Sequence, residues 1–281
     1  MGMTADTATG RYCFRGGALE LSVPRVMGIL NVTPDSFSDG GRFINRDDAL
    51  ANARKMIAHG ADVIDIGAES TRPGSEPVDA EEEWRRLEPV MADLAGLGAP
   101  VSIDTYKAEV AAKACAAGAG IVNDVWGLLH DPAMADTVAE AEAGVIMMHN
   151  RREVDPQIDI LADIDRSFER SMEQAARAGV PAERQMLDPG IGFGKTLAQN
   201  FTILKRLDHF ARHGLPLLVG ASRKRLIGTV LNVDTDDRLY GSLAIHTLAL
   251  ARGAAMVRVH DVRAHVDAAR ILAAIEREDC E

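Results

Sequence analysis

Six residues with complementary chemistry recur at matching places along this chain: Asp104, Asn123 and Asp188 on one side of the ledger, Lys224, Arg258 and His260 on the other. Each closes a short apolar run. Amide and carboxylate oxygens gathered together suit a heterocycle rich in N–H donors, because a carboxylate against an amidine-like edge forms paired, charge-assisted hydrogen bonds. Grouped cations suit phosphate. The segment DPGIGFGKT at Asp188–Thr196 resembles a phosphate loop but fails the test, because Pro189 stands where that pattern requires its first glycine. Asp188 at its head is therefore read with the acids and amides, and Lys195 is left outside the chemistry.

The elements that must position these groups are visible as an alternation. Apolar runs begin at Val26, Ala61, Pro100, Gly120, Gly144, Arg184, Pro216 and Met256, eight in all. Between them lie segments such as DDALANARKMIAHG, EEEWRRLEPVMADLAGL, KAEVAAKACAAG and NFTILKRLDHFARHG, with apolar residues three and four apart and glycines that would end helices. The segment VRAHVDAARILAAIERE supplies an eighth helix. Strand–helix alternation specifies a parallel sheet with helical crossovers, and eight such units in about 250 residues is the size of a (β/α)₈ barrel. A doubly wound sheet is the alternative, but no GxGxxG follows the first run. Residues 1–25 read as a leader with a short β-hairpin turning at Gly16-Gly17 against the barrel floor, and residues 26–281 as one α/β catalytic domain.

A barrel gathers the C-terminal ends of its strands at one mouth. The ends here carry Asn31, Glu69–Arg72, Asp104, Asn123-Asp124, His149-Asn150, Asp188, Ser222–Lys224, and Arg258 with His260. Polar residues at strand ends are ordinary one at a time; at all eight ends they describe a lined pocket. The long segments VTPDSFSDGGRFINR and AESTRPGSEPVDA follow the first two runs and exceed what a strand-to-helix turn needs, so both are expected to act as arms over the mouth.

Bulk properties exclude other classes. The net charge of −11 argues against nucleic acid and gives no support to an anionic membrane. No apolar run is long enough to span a bilayer, the first residues lack a signal peptide pattern, and three scattered cysteines suggest a reduced, cytoplasmic protein. Aromatics at 4% leave little for a base-stacking surface.

Several segments resemble, in order, the signatures of the dihydropteroate synthase family: GILNVTPDSFSDGG, ESTRPGS, SIDT, IVNDVWG, LDPGIGFGKT, GASRKRLIG and VRVHDV. The resemblance runs from about Val26 to the last strand. It departs at MMHNRRE, which leaves the contacts of Met147 and Met148 open. It implies that a dihydropterin bearing a hydroxymethyl diphosphate is joined to 4-aminobenzoate, giving 7,8-dihydropteroate and pyrophosphate. By that resemblance Asn31 binds Mg²⁺, and Thr71, Arg72, Arg258 and His260 hold the diphosphate. Asp104, Asn123, Asp188 and Lys224 contact the pterin, with Phe193 and Arg258 against its faces; Ser222, Pro73 and Phe37 form the 4-aminobenzoate site, and Asp35 stabilises a carbocation. It also implies a homodimer through the later helices. A pterin-dependent methyltransferase on a similar barrel would leave the cations Arg72, Arg258 and His260 without a purpose, and a non-catalytic paralogue should have lost loop residues or a cation, whereas Asn31, Asp35, Arg72, Lys224, Arg258 and His260 are all present.

Overall fold

The computed structural model describes residues 10–32, 46–69 and 78–278. Strands β1 (Arg11–Phe14) and β2 (Gly17–Glu20) form an antiparallel hairpin. Eight parallel strands follow: β3 (Arg25–Asn31), β4 (Val63–Gly67), β5 (Val101–Asp104), β6 (Ile121–Asp124), β7 (Gly144–Met148), β8 (Gln185–Asp188), β9 (Leu218–Val219) and β10 (Met256–Val259). They pair in the order β8-β7-β6-β5-β4-β3-β10-β9. A parallel bridge between Leu187 and Leu217, with Leu187 N–H donating to Pro216 O at 2.9 Å, joins the two ends. The result is the expected (β/α)₈ barrel.

The helices among the described residues are α1 (Arg46–Ala58), α2 (Ala80–Ala95), α3 (Ala108–Ala116), α4 (Met134–Glu140), α5 (Ile160–Arg177), α6 (Leu197–Lys205), α7 (Arg225–Leu231), α8 (Leu239–Ala251) and α9 (Val262–Arg277). Their starts are set locally. Asp79 accepts the Glu82 N–H at 2.8 Å to open α2, and Thr196 with Gln199 closes a reciprocal capping box on α6. Two features depart from the sequence reading. The segment NFTILKRLDHFARHG breaks after Lys205 into a 3₁₀ turn over Leu207–His213, where His209 and His213 both reach Asp165 of α5 at 2.8 Å. Two helices, α7 and α8, fill the crossover between β9 and β10.

Strand residues alternate between the helix-covered face and the barrel interior. One apolar cluster joins Tyr12 and Phe14 of the hairpin to Met27, Val63, Ile121, Ile146, Met186, Leu218 and Met256, one residue from each of seven strands. The hairpin thus stops the N-terminal end of the barrel, as the sequence suggested. It sits close: a Cβ at Gly144 would lie 2.8 Å from Tyr12 Oη, and one at Gly120 2.7 Å from Arg15 O. The larger cluster, with Leu30, Ile64, Ile66, Val122, Val145 and Val257, lies between sheet and helices.

Candidate active site

The same alternation fixes what lies directly above the floor. Two residues beyond each floor position the interior face carries Ile29 on β3, Asp65 on β4, Asn123 on β6, Met148 on β7, Asp188 on β8, Gly220 after β9 and Arg258 on β10. Asp104 stands two residues beyond Ser102 on β5. One apolar layer is therefore followed at once by a layer that holds Asp65, Asp104, Asp188 and Arg258.

Arg258 organises that layer. Its Nε donates to Asp65 Oδ2 at 2.5 Å and its Nη2 to Asp104 Oδ2 at 2.6 Å. Asp65 is fully buried, also accepts from Asn123 Nδ2 at 3.2 Å, and keeps its Oδ1 without a partner among the described residues. Burial opposes the guanidinium charge, but Asp65 and Asp104 outweigh it and hold Arg258 above its ordinary value. Burial pushes Asp104 up to about 7 against the pull of Arg258, with Asp65 adding to the rise.

Asp188 shares this space, since both its Oδ2 and the Arg258 side chain border Gly220. Its Oδ1 accepts the Gly190 N–H at 2.7 Å. Burial raises it above the usual carboxylate range despite the nearby Lys224. Lys224, pushed down to about 8 by burial, donates to Ile191 O and lies over the Phe193 ring, 4.4 Å from its centroid. Ser222 is buried, and its Oγ accepts the His260 N–H at 3.1 Å and lies 3.0 Å from His260 Nδ1. Arg223 forks onto Asp261 at 2.6 and 3.0 Å, tying the loop after β9 to the end of β10.

The structure thus brings together Asp104, Asn123, Asp188, Phe193, Ser222, Lys224, Arg258 and His260. Asn31, half-buried at the end of β3, shares the interior face of Met27. Asp35, Phe37, Thr71, Arg72 and Pro73 lie outside the described residues.

Two residues that the sequence reading left out of the site belong to this construction. Asp65 sits within VIDIG, an apolar run whose single acid looks like an interruption; the period of two from Val63 is the signal that finds it. Lys195, outside the mouth chemistry, has a structural task. Its buried Nζ donates to Gly190 O at 2.7 Å, Phe193 O at 3.0 Å and His149 O at 3.3 Å. Burial lowers it to about 7. Gly190 has φ +67 and passes against the His149 carbonyl, which any Cβ there would strike. From the strand end MMHNRRE, Arg151 Nη1 reaches Asp163 of α5 at 2.6 Å and buried His149 Nε2 reaches it at 3.2 Å, while Arg152 lies over the Trp126 ring. Met147 joins the helix-side core, and Met148 is buried on the interior face.

Among the described residues no group of three or more His, Cys, Asp or Glu could hold a metal by protein ligands alone.

Residues 27–260 match the pterin binding enzyme family. The dihydropteroate synthase of Bacillus subtilis is 48% identical over 239 residues, covering 85% of this chain and 84% of that protein. The enzyme of Escherichia coli K12 is 44% identical over 267 residues, covering 92% and 94%. The Xanthomonas albilineans dihydropteroate synthase solved with 4-aminobenzoic acid superposes with a TM-score of 0.91 at 43% identity, covering 95% of this chain and 98% of that one. The same bacterium's enzyme in complex with 7,8-dihydropteroate gives 0.87 at 42% identity, over 95% and 98%. With its strands, their order and the acids at their ends in place, this chain belongs to the dihydropteroate synthase family.

Proposed function

We propose that the barrel mouth condenses (7,8-dihydropterin-6-yl)methyl diphosphate with 4-aminobenzoate, releasing pyrophosphate and 7,8-dihydropteroate. One observation carries this reading: Asp65 and Asp104 share Arg258, Asp188 Oδ2 lies beside the same side chain, and Asp65 Oδ1 has no partner among the described residues, so the cluster is short of donors. A flat ring edged with N–H groups supplies them. Asp104, Asp188 and Asn123 then take the ring edge, Lys224 an acceptor on it, and Phe193 and Arg258 its faces. The relatives solved with 4-aminobenzoic acid and with 7,8-dihydropteroate support the first as substrate and the second as product.

The described residues offer no activated nucleophile, so catalysis rests on positioning and on stabilising charge. Nε and Nη2 of Arg258 are committed to acids, which leaves the Nη1 edge for phosphate oxygens beside His260. Thr71 and Arg72 complete the diphosphate site. The C–O bond to the diphosphate breaks first, its electron pair leaving with the phosphate. The arylamine lone pair then forms the C–N bond, and the amine proton passes to solvent. Asp35 stabilises the intervening pterin carbocation, while the arms bearing Phe37 and Pro73, with Ser222, seat 4-aminobenzoate and exclude water. Asn31 would hold Mg²⁺: a single amide oxygen suits an ion that keeps its waters and takes substrate phosphates as ligands. Bound there, the ion offsets negative charge on the departing diphosphate.

A homodimer fits the outer surface of the later helices. Val230 and Leu231 of α7, Tyr240 and Leu248 of α8, and Ile271 and Ile275 of α9 are exposed, and a cavity of about 330 Å³ opens beside Thr247, Ile271 and Ile275. A cytoplasmic location accords with the scattered cysteines, and no described helix is long and apolar enough to cross a membrane.

The test is pyrophosphate release. It should require both substrates and Mg²⁺; methyl transfer from a reduced folate without pyrophosphate would overturn the reading. Positional isotope exchange within the diphosphate, without net turnover, checks the order of bond breaking.

A further inference from the structure

Behind the mouth, between α8 and α9, two histidines are each only 1% exposed: His246 and His265. Their rings lie 4.9 Å apart, centroid to centroid, at 62°. Ala221 N–H donates to His246 Nε2 at 2.9 Å, His246 Nδ1 lies 2.9 Å from His265 Nε2, and His265 Nδ1 lies 2.8 Å from Asp261 O. The two ends of this chain have fixed polarity. A backbone N–H only donates, so His246 Nε2 carries no proton; a backbone carbonyl only accepts, so His265 Nδ1 carries one. A neutral His246 must then hold its proton on Nδ1 and give it to a bare His265 Nε2. Only this arrangement satisfies every group, and an extra proton on either ring sets two donors against each other.

The ends of this chain are parts of the active site. Ala221 precedes Ser222 and Lys224, and Asp261 follows His260. One helical turn before His246, Ser242 Oγ accepts the Arg223 N–H at 2.9 Å and donates to Arg238 O at 2.8 Å. Helix α8 therefore grips alternate backbone N–H groups, of Ala221 and Arg223, across a loop that is left-handed at Arg223 (φ +56). The second imidazole links that grip to the far side of the Ser222–His260 contact.

We propose that His246 and His265 form a neutral two-ring relay that sets the spacing between the loop bearing Ser222 and Lys224 and the strand end bearing Arg258 and His260, which makes both histidines positioning residues for the two substrates. The assignment of substrates rests on the function proposed above; the relay itself rests on geometry alone. The surrounding charges favour neutrality. Burial, then His265, Lys224 and His260, depress His246 far below its ordinary value. Burial lowers His265 too, against the Asp261 and Ser242 backbone and the Asp261 carboxylate, the last already engaged by Arg223.

Two measurements test this on the full chain. Nitrogen-15 spectra of histidine-labelled protein should show both rings as Nδ1–H tautomers with no titration between roughly pH 6 and 8; an Nε2–H form, or a midpoint near about 6.5, overturns the relay. Steady-state kinetics should show H265L and H246L each raising the KM for 4-aminobenzoate or the pterin diphosphate about tenfold with kcat within about twofold. The double variant should cost no more than either single one, since one missing ring already breaks the chain. If melting temperature falls while both KM values stay within about twofold, the histidines are mere packing and the proposal fails. Should the leucine variants not fold, H265N is assayed instead; it keeps a donor at the Nδ1 position for Asp261 O, loses the acceptor for His246 Nδ1, and must raise the same KM values. Wild-type turnover judges the function separately, because its failure would leave the spectra free to decide on the relay.

Discussion

Asp65 and Arg258 are 193 residues apart in the chain, and Oδ2 of one lies 2.5 Å from Nε of the other. The pair joins neither a loop to a loop nor a surface to a surface. It binds the second barrel strand to the last, directly over the apolar floor, and carries Asn123 and Asp104 with it. A buried ion pair of this kind is weak evidence for stability as a whole, but removing one partner strands the other.

Asp65→Ala or Arg258→Ala should each destabilise the fold by about 3–5 kcal/mol in urea titration. The double variant should cost less than their sum, because the second removal relieves the charge that the first left unpaired. Arg258→Ala should also lower kcat/KM by about 10²–10³-fold through lost stabilisation of the departing diphosphate. Additive stability effects would mean that the pair is not coupled.

Asp104 rises from its ordinary 3.8 to about 7, first through burial. Between those values the folded state binds a proton that the unfolded chain has lost, so this group's contribution to stability falls as pH rises through the window and is intact below it. The ionised form is the better acceptor for ring N–H groups. Affinity for the pterin diphosphate should therefore rise with pH to a plateau above about 7, and Asp104→Asn should flatten both dependences.

Lys195→Met should cost about 2–4 kcal/mol at neutral pH, because the Gly190 and Phe193 carbonyls lose their donor in a buried place. The loop it staples carries Asp188 at one end, so the KM for the pterin substrate should rise more than kcat falls. The pH sign is opposite to that of Asp104. With its folded value lowered to about 7 from 10.5, Lys195 makes wild-type stability rise with pH across that interval, and the variant should lack the slope.

Gly190→Ala should be worse than Gly179→Ala, although both positions are left-handed, at φ +67 and +83. Nothing lies within 4 Å of a Cβ at Gly179, leaving about 1–2 kcal/mol of backbone strain. At Gly190 the His149 carbonyl is in the way, and the loss should exceed about 3 kcal/mol. Thermal melting of the two variants decides it.

The barrel and most of its mouth were legible because both depend on simple periods. Apolar runs alternating with helical segments specify the topology, and a barrel makes strand ends converge, so Asp104, Asn123, Asp188, Lys224 and Arg258 could be grouped from their positions alone. Asp65 was not, since an acid inside an apolar run gives no local sign of facing inward until the floor residue Val63 is known. Lys195 was set outside the chemistry with no task assigned to it, because three carbonyls converging on one ammonium is a property of the folded backbone. The break after Lys205 has the same origin: NFTILKRLDHFARHG has helical spacing throughout, and only the tertiary pull of Asp165 on His209 and His213 turns its second half into a 3₁₀ turn. The His246–His265 relay joins elements of different crossovers and had no signature at all.

The Tyr12–Phe14 hairpin gives the barrel a blind end. Everything that arrives must leave by the way it came, so pyrophosphate and the larger condensed product share one doorway with the next pair of reactants. Traffic through that doorway, rather than bond making, then becomes a natural place for turnover to be limited, and each product should compete with an incoming molecule for the same passage.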